Sequence, residues 1–252
     1  MRSTFKVNIL IPVLLVVLGA GLIPAAAETA PQESLPAVDK ILEKYVSALG
    51  GKAAFEKLTS RVAKGTFEMD QMPGTATQEI YEKAPNKQLS ITDAPNFGVV
   101  KRGFNGTVGW QDMPQTGVQD VTGEQLAAMK RYADFYRDLK LQELYPKMTA
   151  KGKEAVNGRD AYVVEATPTE GAAELWYFAA DSGLLVRAQT QGEGPMGPVT
   201  IESTFDDYRE VDGVKIPHVI HQSMGEFSFT VRLTEVKHNV PIEDAKFDKP
   251  TP

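Results

Sequence analysis

The sequence predicts a mainly β protein of the α+β class, built on a curled antiparallel sheet of about ten strands that forms an unclosed half-barrel. An N-terminal amphipathic helix and a mid-chain helical lid complete this prediction. The clearest strand places Phe227, Phe229, Val231 and Leu233 alternately with polar residues, which is typical of a strand with one apolar and one wet face. Short glycine-containing turns join such runs, so successive strands run antiparallel. A sheet of this length rarely stays flat.

The first 27 residues have the pattern of a secretory signal peptide. Arg2 and Lys6 form a basic start, residues 9–23 are mostly apolar, and three alanines end at Ala27. We expect cleavage between Ala27 and Glu28, which leaves residues 28–252 as a single domain. The alternative is an uncleaved anchor, but the apolar run is shorter than the ~20 residues that span a bilayer.

Composition narrows the classes of partner. Without Arg2 and Lys6, 25 of the 27 basic residues remain against 33 acidic ones, a net charge of −8. This balance disfavours nucleic acid as a partner. The chain contains no cysteine, which excludes disulfides and thiolate ligands. We expect an exported, soluble monomer.

Two segments have helical periodicity. Apolar residues from Val38 to Leu49 form one continuous stripe, and Gly50-Gly51 ends it. The second segment runs from Thr122 to Tyr145, with Thr122 and Gln125 in capping-box spacing. Strands fill most of the remaining chain, with hairpins at two Asn-Gly pairs. The tail from His238 onward is expected to lie along the surface or to fray.

Catalytic, metal and cofactor motifs are missing from the sequence. Residues 192–197 have the letters of a dinucleotide fingerprint, but a proline interrupts them and a strand follows, so a hairpin loop is the better interpretation. His218 and His221 are three apart, which places them on opposite faces of a strand rather than around one metal ion. We therefore predict no metal, no cofactor and no enzymatic activity.

Aromatic and methionine side chains offer the remaining signal for a site. They either fill a core or line a cavity between the curled sheet and the helix from Thr122. The candidate cavity residues are Phe67, Met69, Tyr81, Phe104, Trp110, Met129, Tyr132, Phe135, Tyr136, Trp176, Phe178, Phe205, Phe227 and Phe229. A lipid chain in such a cavity would gain about 0.8 kcal/mol for each buried methylene.

Several segments of the sequence resemble those of the outer-membrane lipoprotein-sorting, LolA-like superfamily. They are the helix ending at Leu49-Gly50-Gly51, Tyr177-Phe178 before Asp181-Ser182-Gly183, and residues 158–165 and 208–217. The resemblance implies an unclosed barrel with a helical lid over an apolar cavity that holds acyl chains in the periplasm. It supplies no functional residue that matches one by one.

The predicted function is therefore a periplasmic binding or carrier protein that shelters a lipid or lipoprotein acyl chain. The alternative is an envelope protein-interaction or sensor module that uses the same fold without a transported ligand. Likeness of fold does not choose between the two.

Overall fold

A computed structural model describes residues 34–70, 74–95, 97–194 and 197–251. All the described helices and strands lie within Leu35–Pro252. The predicted signal peptide and its cleavage site at Ala27 and Glu28 lie outside the described residues. Among the residues that the structure describes, no helix has both the length and the apolar character needed to cross a membrane.

The described residues form one antiparallel sheet of thirteen strands. The first group comprises β1 (Ser60–Met69), β2 (Thr75–Lys83), β3 (Lys87–Ala94), β4 (Gly98–Phe104), β5 (Gly109–Met113) and β6 (Gly117–Val121). The second comprises β7 (Lys147–Val156), β8 (Arg159–Thr167), β9 (Glu174–Ala179), β10 (Leu185–Gly194), β11 (Gly197–Val211), β12 (Val214–Met224) and β13 (Phe227–His238). The strand order is β6-β5-β4-β3-β2-β1-β13-β12-β11-β10-β9-β8-β7, so β6 and β7 are the two edges of an unclosed sheet.

The two groups of strands join at the pairing of β1 with β13. Arg61 lies opposite His238, and Met69 lies opposite Phe229. A bulge in β13 shifts the register between Lys64 and Gly65 of β1, and its extra residue adds local twist. The prediction of one sheet that contains both halves is confirmed, although it has thirteen strands rather than about ten. The sequence signal missed β6, because only Val118 and Val121 are apolar there.

The hairpins follow the turn chemistry of the sequence. Asn157 and Gly158 both adopt positive φ, 51° and 77°, which is the geometry of the two-residue turn between β7 and β8. The segment from Gly192 to Gly197 joins β10 to β11, with Gly194 opposite Gly197. It is therefore a hairpin, as predicted, although residues 195–196 lie outside the described ranges.

Helix α1 (Val38–Ala48) lays its apolar stripe on one face of the sheet, which we call the inner face. Ile41, Leu42 and Tyr45 are buried against β8, β9, β12 and β13, and the Tyr45 and Phe178 rings lie 5.0 Å apart. A short helix α2 (Lys52–Phe55) follows. This packing forms the main core of the protein.

The sequence predicts the lid as one helical segment, but the structure divides it into three short pieces. They are α3 (Gly123–Ala133), a 3₁₀ turn (Arg137–Leu139) and α4 (Leu141–Leu144). The helix stops at Asp134, where ψ is 112°, and the carboxylate of Asp134 accepts a hydrogen bond from the Tyr136 N–H at 2.9 Å. Asp side chains compete with helical backbone bonds in this way. The predicted capping box is wrong, because the Thr122 side chain makes no capping hydrogen bond.

Helix α3 shows how strongly the sheet curls. A Cβ added at Gly109 of β5 would lie 2.8 Å from both Leu126 Cδ1 and Met129 Sδ, while Tyr132 donates a hydrogen bond to Glu174 of β9 at 3.2 Å. Nine inter-strand spacings separate β5 from β9, or about 43 Å in a flat sheet, whereas α3 is only about 16 Å long. The sheet must therefore curl around the inner face, and the lid spans the concavity.

The C-terminal tail covers the opposite, outer face of the first group of strands. Phe247 lies in a 3₁₀ turn (Asp244–Phe247), is fully buried and packs with Leu89 and Trp110. Lys83 donates to the Ile242 carbonyl at 2.6 Å and pairs with Asp244 at 2.7 Å. The tail lies along the surface, and the fraying alternative is wrong for the described residues up to Thr251.

Candidate functional site

An apolar trough runs across the middle of the inner face. Cross-strand pairing places Phe67, Val231, Ile220 and Phe205 in one row, and Met69 opposite Phe229 in the next. We call these six residues the trough. All six side chains are half-buried. All six residues are described by the structure, and only Val231 of them packs against a buried core cluster.

The sequence-predicted cavity residues on β1, β11 and β13 come together in or beside the trough. They are Phe67, Met69, Phe205, Phe229 and, at the exposed end, Phe227, which is 45% exposed. The Phe67 and Phe229 rings lie 4.9 Å apart. Val231 and Ile220 complete the trough but were not predicted as site residues. Val231 could have been found, because it continues the alternation that contains Phe227 and Phe229.

A second set of predicted residues fills the core under the helices. Trp176 and Phe178 are buried on β9, and the Trp176 ring meets the Tyr145 ring edge-on at 4.6 Å. Phe104 is buried on the row that contains Gly109, beneath Met129. Phe135 packs against the core, and the hydroxyl of Tyr136 donates to the Leu58 carbonyl at 2.8 Å. These side chains anchor the lid.

Tyr81 and Trp110 lie on the outer face, away from the trough. They share a cross-strand row with Leu89, and Trp110 donates its indole N–H to the Phe247 carbonyl at 2.9 Å. The sheet therefore separates them from the space under the lid. Alternation of the sequence could not show that the tail would cover this face.

The two predicted strand histidines also lie on opposite faces. His218 Nδ1 is 2.9 Å from the Ile216 carbonyl oxygen, and His221 Nδ1 is 2.9 Å from Thr230 Oγ1. Neither imidazole faces the other. Within the described ranges, no cluster of three or more potential metal ligands occurs.

A buried carboxylate ties the lid to β9. Glu174 is 4% exposed and accepts hydrogen bonds from Tyr145 at 2.9 Å, the Trp176 indole at 3.0 Å and Tyr132 at 3.2 Å. A guanidinium nitrogen of Arg131 lies 3.9 Å from it. Burial, and then the charge of Glu174, raise the pKa of Tyr145 to about 12. Three neutral donors and one cation thus allow this carboxylate to be buried.

Further charged groups cluster on the inner face near the 3₁₀ turn of the lid. Arg61 pairs with Glu82 across β1 and β2, and Tyr45 donates to Asp138 at 3.1 Å. The Arg137 guanidinium lies 5.0 Å from the centre of the Tyr132 ring and 3.9 Å from the Asp138 carboxylate. We call Arg61, Glu82, Arg137 and Asp138 the polar end of the inner face.

Sequence reasoning missed both ionic groups. Glu174 stands two residues before Trp176 and therefore points to the same face, so an acidic residue at an inward position was the available signal. Arg137 and Asp138 carried no such signal. They lie in a segment predicted as a continuous helix, where the break at Asp134 was not foreseen.

The unclosed sheet, the lid and the inner apolar trough together define a LolA-like fold. The solved structures with a similar fold include a DUF1329 family protein from Desulfovibrio piger, at 14% identity and a TM-score of 0.57, covering 84% of this chain and 97% of that one. A putative outer membrane lipoprotein-sorting protein domain from Vibrio parahaemolyticus matches at 14% identity and 0.57, covering 83% and 97%.

A LolA superfamily protein from Nitrosomonas europaea is a third such structure, at 15% identity and a TM-score of 0.56, covering 84% of this chain and 97% of that one. No family model matches the sequence, and no curated protein matches it significantly. At these identities the comparisons show the fold, and the predicted resemblance is confirmed at that level.

Proposed function

We propose that this protein binds an acyl chain of a lipid or lipoprotein in the trough and acts as a periplasmic binding or carrier protein. The observation that carries the proposal is the row of half-buried apolar side chains on four adjacent strands, on the same face as the lid. Contiguous apolar surface is typical of ligand-binding grooves, which supports this proposal. The signal peptide predicted from the sequence supports export.

The energetics suit reversible binding. Fully burying one large apolar side chain gains about 1.5–3 kcal/mol, so completing the burial of six half-buried ones gains roughly 5–9 kcal/mol. Association costs roughly 4–15 kcal/mol, and contacts of the acyl chain with the lid must supply the rest. A carrier must release its ligand, and this balance permits release.

A charge placed in the trough provides the test. Ile220 and Val219 are neighbours on β12, both half-buried, but Ile220 pairs with Val231 in the trough while Val219 pairs with Arg232 on the outer face. We expect Ile220→Glu to weaken uptake of a fluorescent fatty acid at least about tenfold, because a carboxylate in an apolar site is costly. Val219→Glu is the matched control and should bind as the wild type does.

Native mass spectrometry of protein purified from the periplasm complements this titration. Bound lipid in the wild type, and its loss in Ile220→Glu, is the expected result. Equal uptake by the two variants would contradict the trough as the site. A wild-type protein without lipid or uptake, recovered instead with one stoichiometric protein, would favour the interaction-module alternative.

A further inference from the structure

The polar end holds a guanidinium whose hydrogen-bond donors are unused. Arg137 carries five N–H donors, yet in the described part of the chain its side chain makes only the 3.9 Å ion pair with Asp138 and the contact over Tyr132. A separation of 3.9 Å is too long for a hydrogen bond. By contrast, Arg61 bonds to Glu82, and Arg131 donates to the Glu170 carbonyl at 2.7 Å.

Arg137 is accessible and yet enclosed. About a third of its side chain, 32%, can be reached by solvent. Burial is nevertheless the largest influence on its pKa and acts to lower it, although Asp138 and the surrounding tyrosines outweigh burial and raise the pKa overall. The guanidinium lies over the ring of Tyr132, whose hydroxyl donates to Glu174 on the inner face of β9, so Arg137 lies on the side of the lid that is turned towards the sheet. In such a partly desolvated setting, a guanidinium that makes no hydrogen bond to the described residues attracts an anion strongly.

The polar end lies on the same face as the trough. Arg61 and Phe67 occupy alternating positions of β1 that point to the inner face, six residues apart, which corresponds to about 20 Å. Arg137 interacts electrostatically with Arg61, as does Asp138. One elongated amphiphile could therefore contact both regions.

We propose that Arg137 binds the anionic headgroup, a carboxylate or a phosphate, of an amphiphile whose acyl chain lies in the trough. This inference rests on the proposed function and names its ligand class. The planar guanidinium matches both kinds of oxyanion with two parallel hydrogen bonds. Asp138 beside it limits the affinity, because its negative charge repels the same headgroup.

The test compares amphiphiles with the same chain and different heads. Palmitate, palmitoyl lysophosphatidate and uncharged monopalmitoylglycerol are titrated, below their critical micelle concentrations, against the wild-type protein and displace a fluorescent fatty acid. We expect both anions to bind at least about tenfold more tightly than the neutral ligand, a difference of about 1.4 kcal/mol. A preference for the phosphate or the carboxylate would identify the source of the headgroup.

Two variants with opposite expectations assign the effect to Arg137. Arg137→Gln should lower the affinity for both anions to that of the neutral ligand, about tenfold, and leave neutral binding unchanged. Asp138→Asn removes the repelling charge and should strengthen anion binding severalfold. Arg209→Gln is the matched control, because Arg209 is 57% exposed and pairs with Asp207 at the surface.

The outcomes separate this inference from the proposed function. Equal binding of anionic and neutral ligands by the wild type would overturn the role of Arg137 but leave the trough supported. Failure of all three ligands to bind would overturn the proposed function and, with it, this inference. If Arg137→Gln does not fold, Asp138→Asn decides, since an unchanged preference in that variant would also overturn the proposal.

Discussion

The two tryptophans of this protein are both buried, on opposite faces of one sheet. Trp110 is 1% exposed on the outer face and donates to a carbonyl of the C-terminal tail, while Trp176 is 6% exposed on the inner face and donates to Glu174. The outer side chain is covered by the C-terminal tail, whose Phe247 carbonyl accepts its indole N–H, and the inner one by a lid held through the buried carboxylate of Glu174. Aromatic content therefore predicts burial, but it does not predict the face or the kind of cover.

The comparison also shows where the sheet is left uncovered. The tail closes the outer face of the first strands with Phe247, which is fully buried. On the inner face, α1 and the lid cover the strands around Trp176 but leave the trough half-buried. The trough is thus an apolar part of the inner face that remains half-buried although both tryptophans are covered.

Replacement of the inner tryptophan should have the largest effect on stability. We expect Trp176→Ala to lower the free energy of unfolding by about 3–5 kcal/mol, because it leaves a cavity beneath Tyr145 and Phe178. It also removes one of the donors to the buried Glu174. Urea denaturation measures the change, with exposed Phe227→Ala as control. A loss below about 1 kcal/mol would mean that the inner packing is not as described.

Removal of the outer cover should cost less. Phe247→Ala takes the buried ring from the tail, and we expect a loss of about 2 kcal/mol, because the tail can detach locally while the sheet persists. When Trp176 is replaced by Phe, Trp110 is the only tryptophan left, so the fluorescence comes from it alone. Adding Phe247→Ala to this variant should shift the emission to longer wavelength, because water then reaches Trp110. An unshifted spectrum would contradict the covering role of the tail.

The smallest effect concerns the ionic link of the lid. Tyr145→Phe removes one hydrogen bond to Glu174 and should cost about 1–2 kcal/mol near neutral pH. The pKa of Tyr145 is raised from 10.0 to about 12 in the folded protein, so its contribution is fully present below pH 10 and is lost as the pH rises towards 12.

Denaturation curves at pH 8 and pH 11 test this directly. The wild type should lose stability between these values, and Tyr145→Phe should lose less, so that the two proteins become more alike at pH 11. Equal slopes with pH for the two proteins would show that the Tyr145 hydroxyl is not held as described.

The sequence predicted the parts of the fold that local periodicity determines. Alternation placed Phe67, Phe229 and Phe205 on one face, and the Asn-Gly pairs marked two hairpins. Long-range contacts determine the rest. The cover over Trp110 comes from a tail 137 residues away, and the lid breaks where the Asp134 side chain bonds to backbone nearby. Neither the tail that covers Trp110 nor the break at Asp134 can be predicted from the spacing of hydrophobic residues.

The site was predictable to the same extent. Four trough residues, Phe67, Met69, Phe205 and Phe229, were predicted as site residues because they are aromatic or methionine residues of strand-like segments, whereas Val231 and Ile220 were not. Glu174 is a single residue whose partners Tyr132 and Tyr145 come from the lid, and Arg137 belongs to no periodic pattern. The role proposed for each depends on curvature of the sheet, which a linear pattern does not encode.

The pairing of β1 with β13 has a consequence for how the molecule forms. The centre of the sheet joins the earliest strand to the latest, with Arg61 opposite His238. Closing so long a loop is entropically costly and slows folding. During synthesis, the chain must emerge from Ser60 through His238 before this central pairing can form, so the apolar rows of both groups of strands stay open to water and to other chains until then.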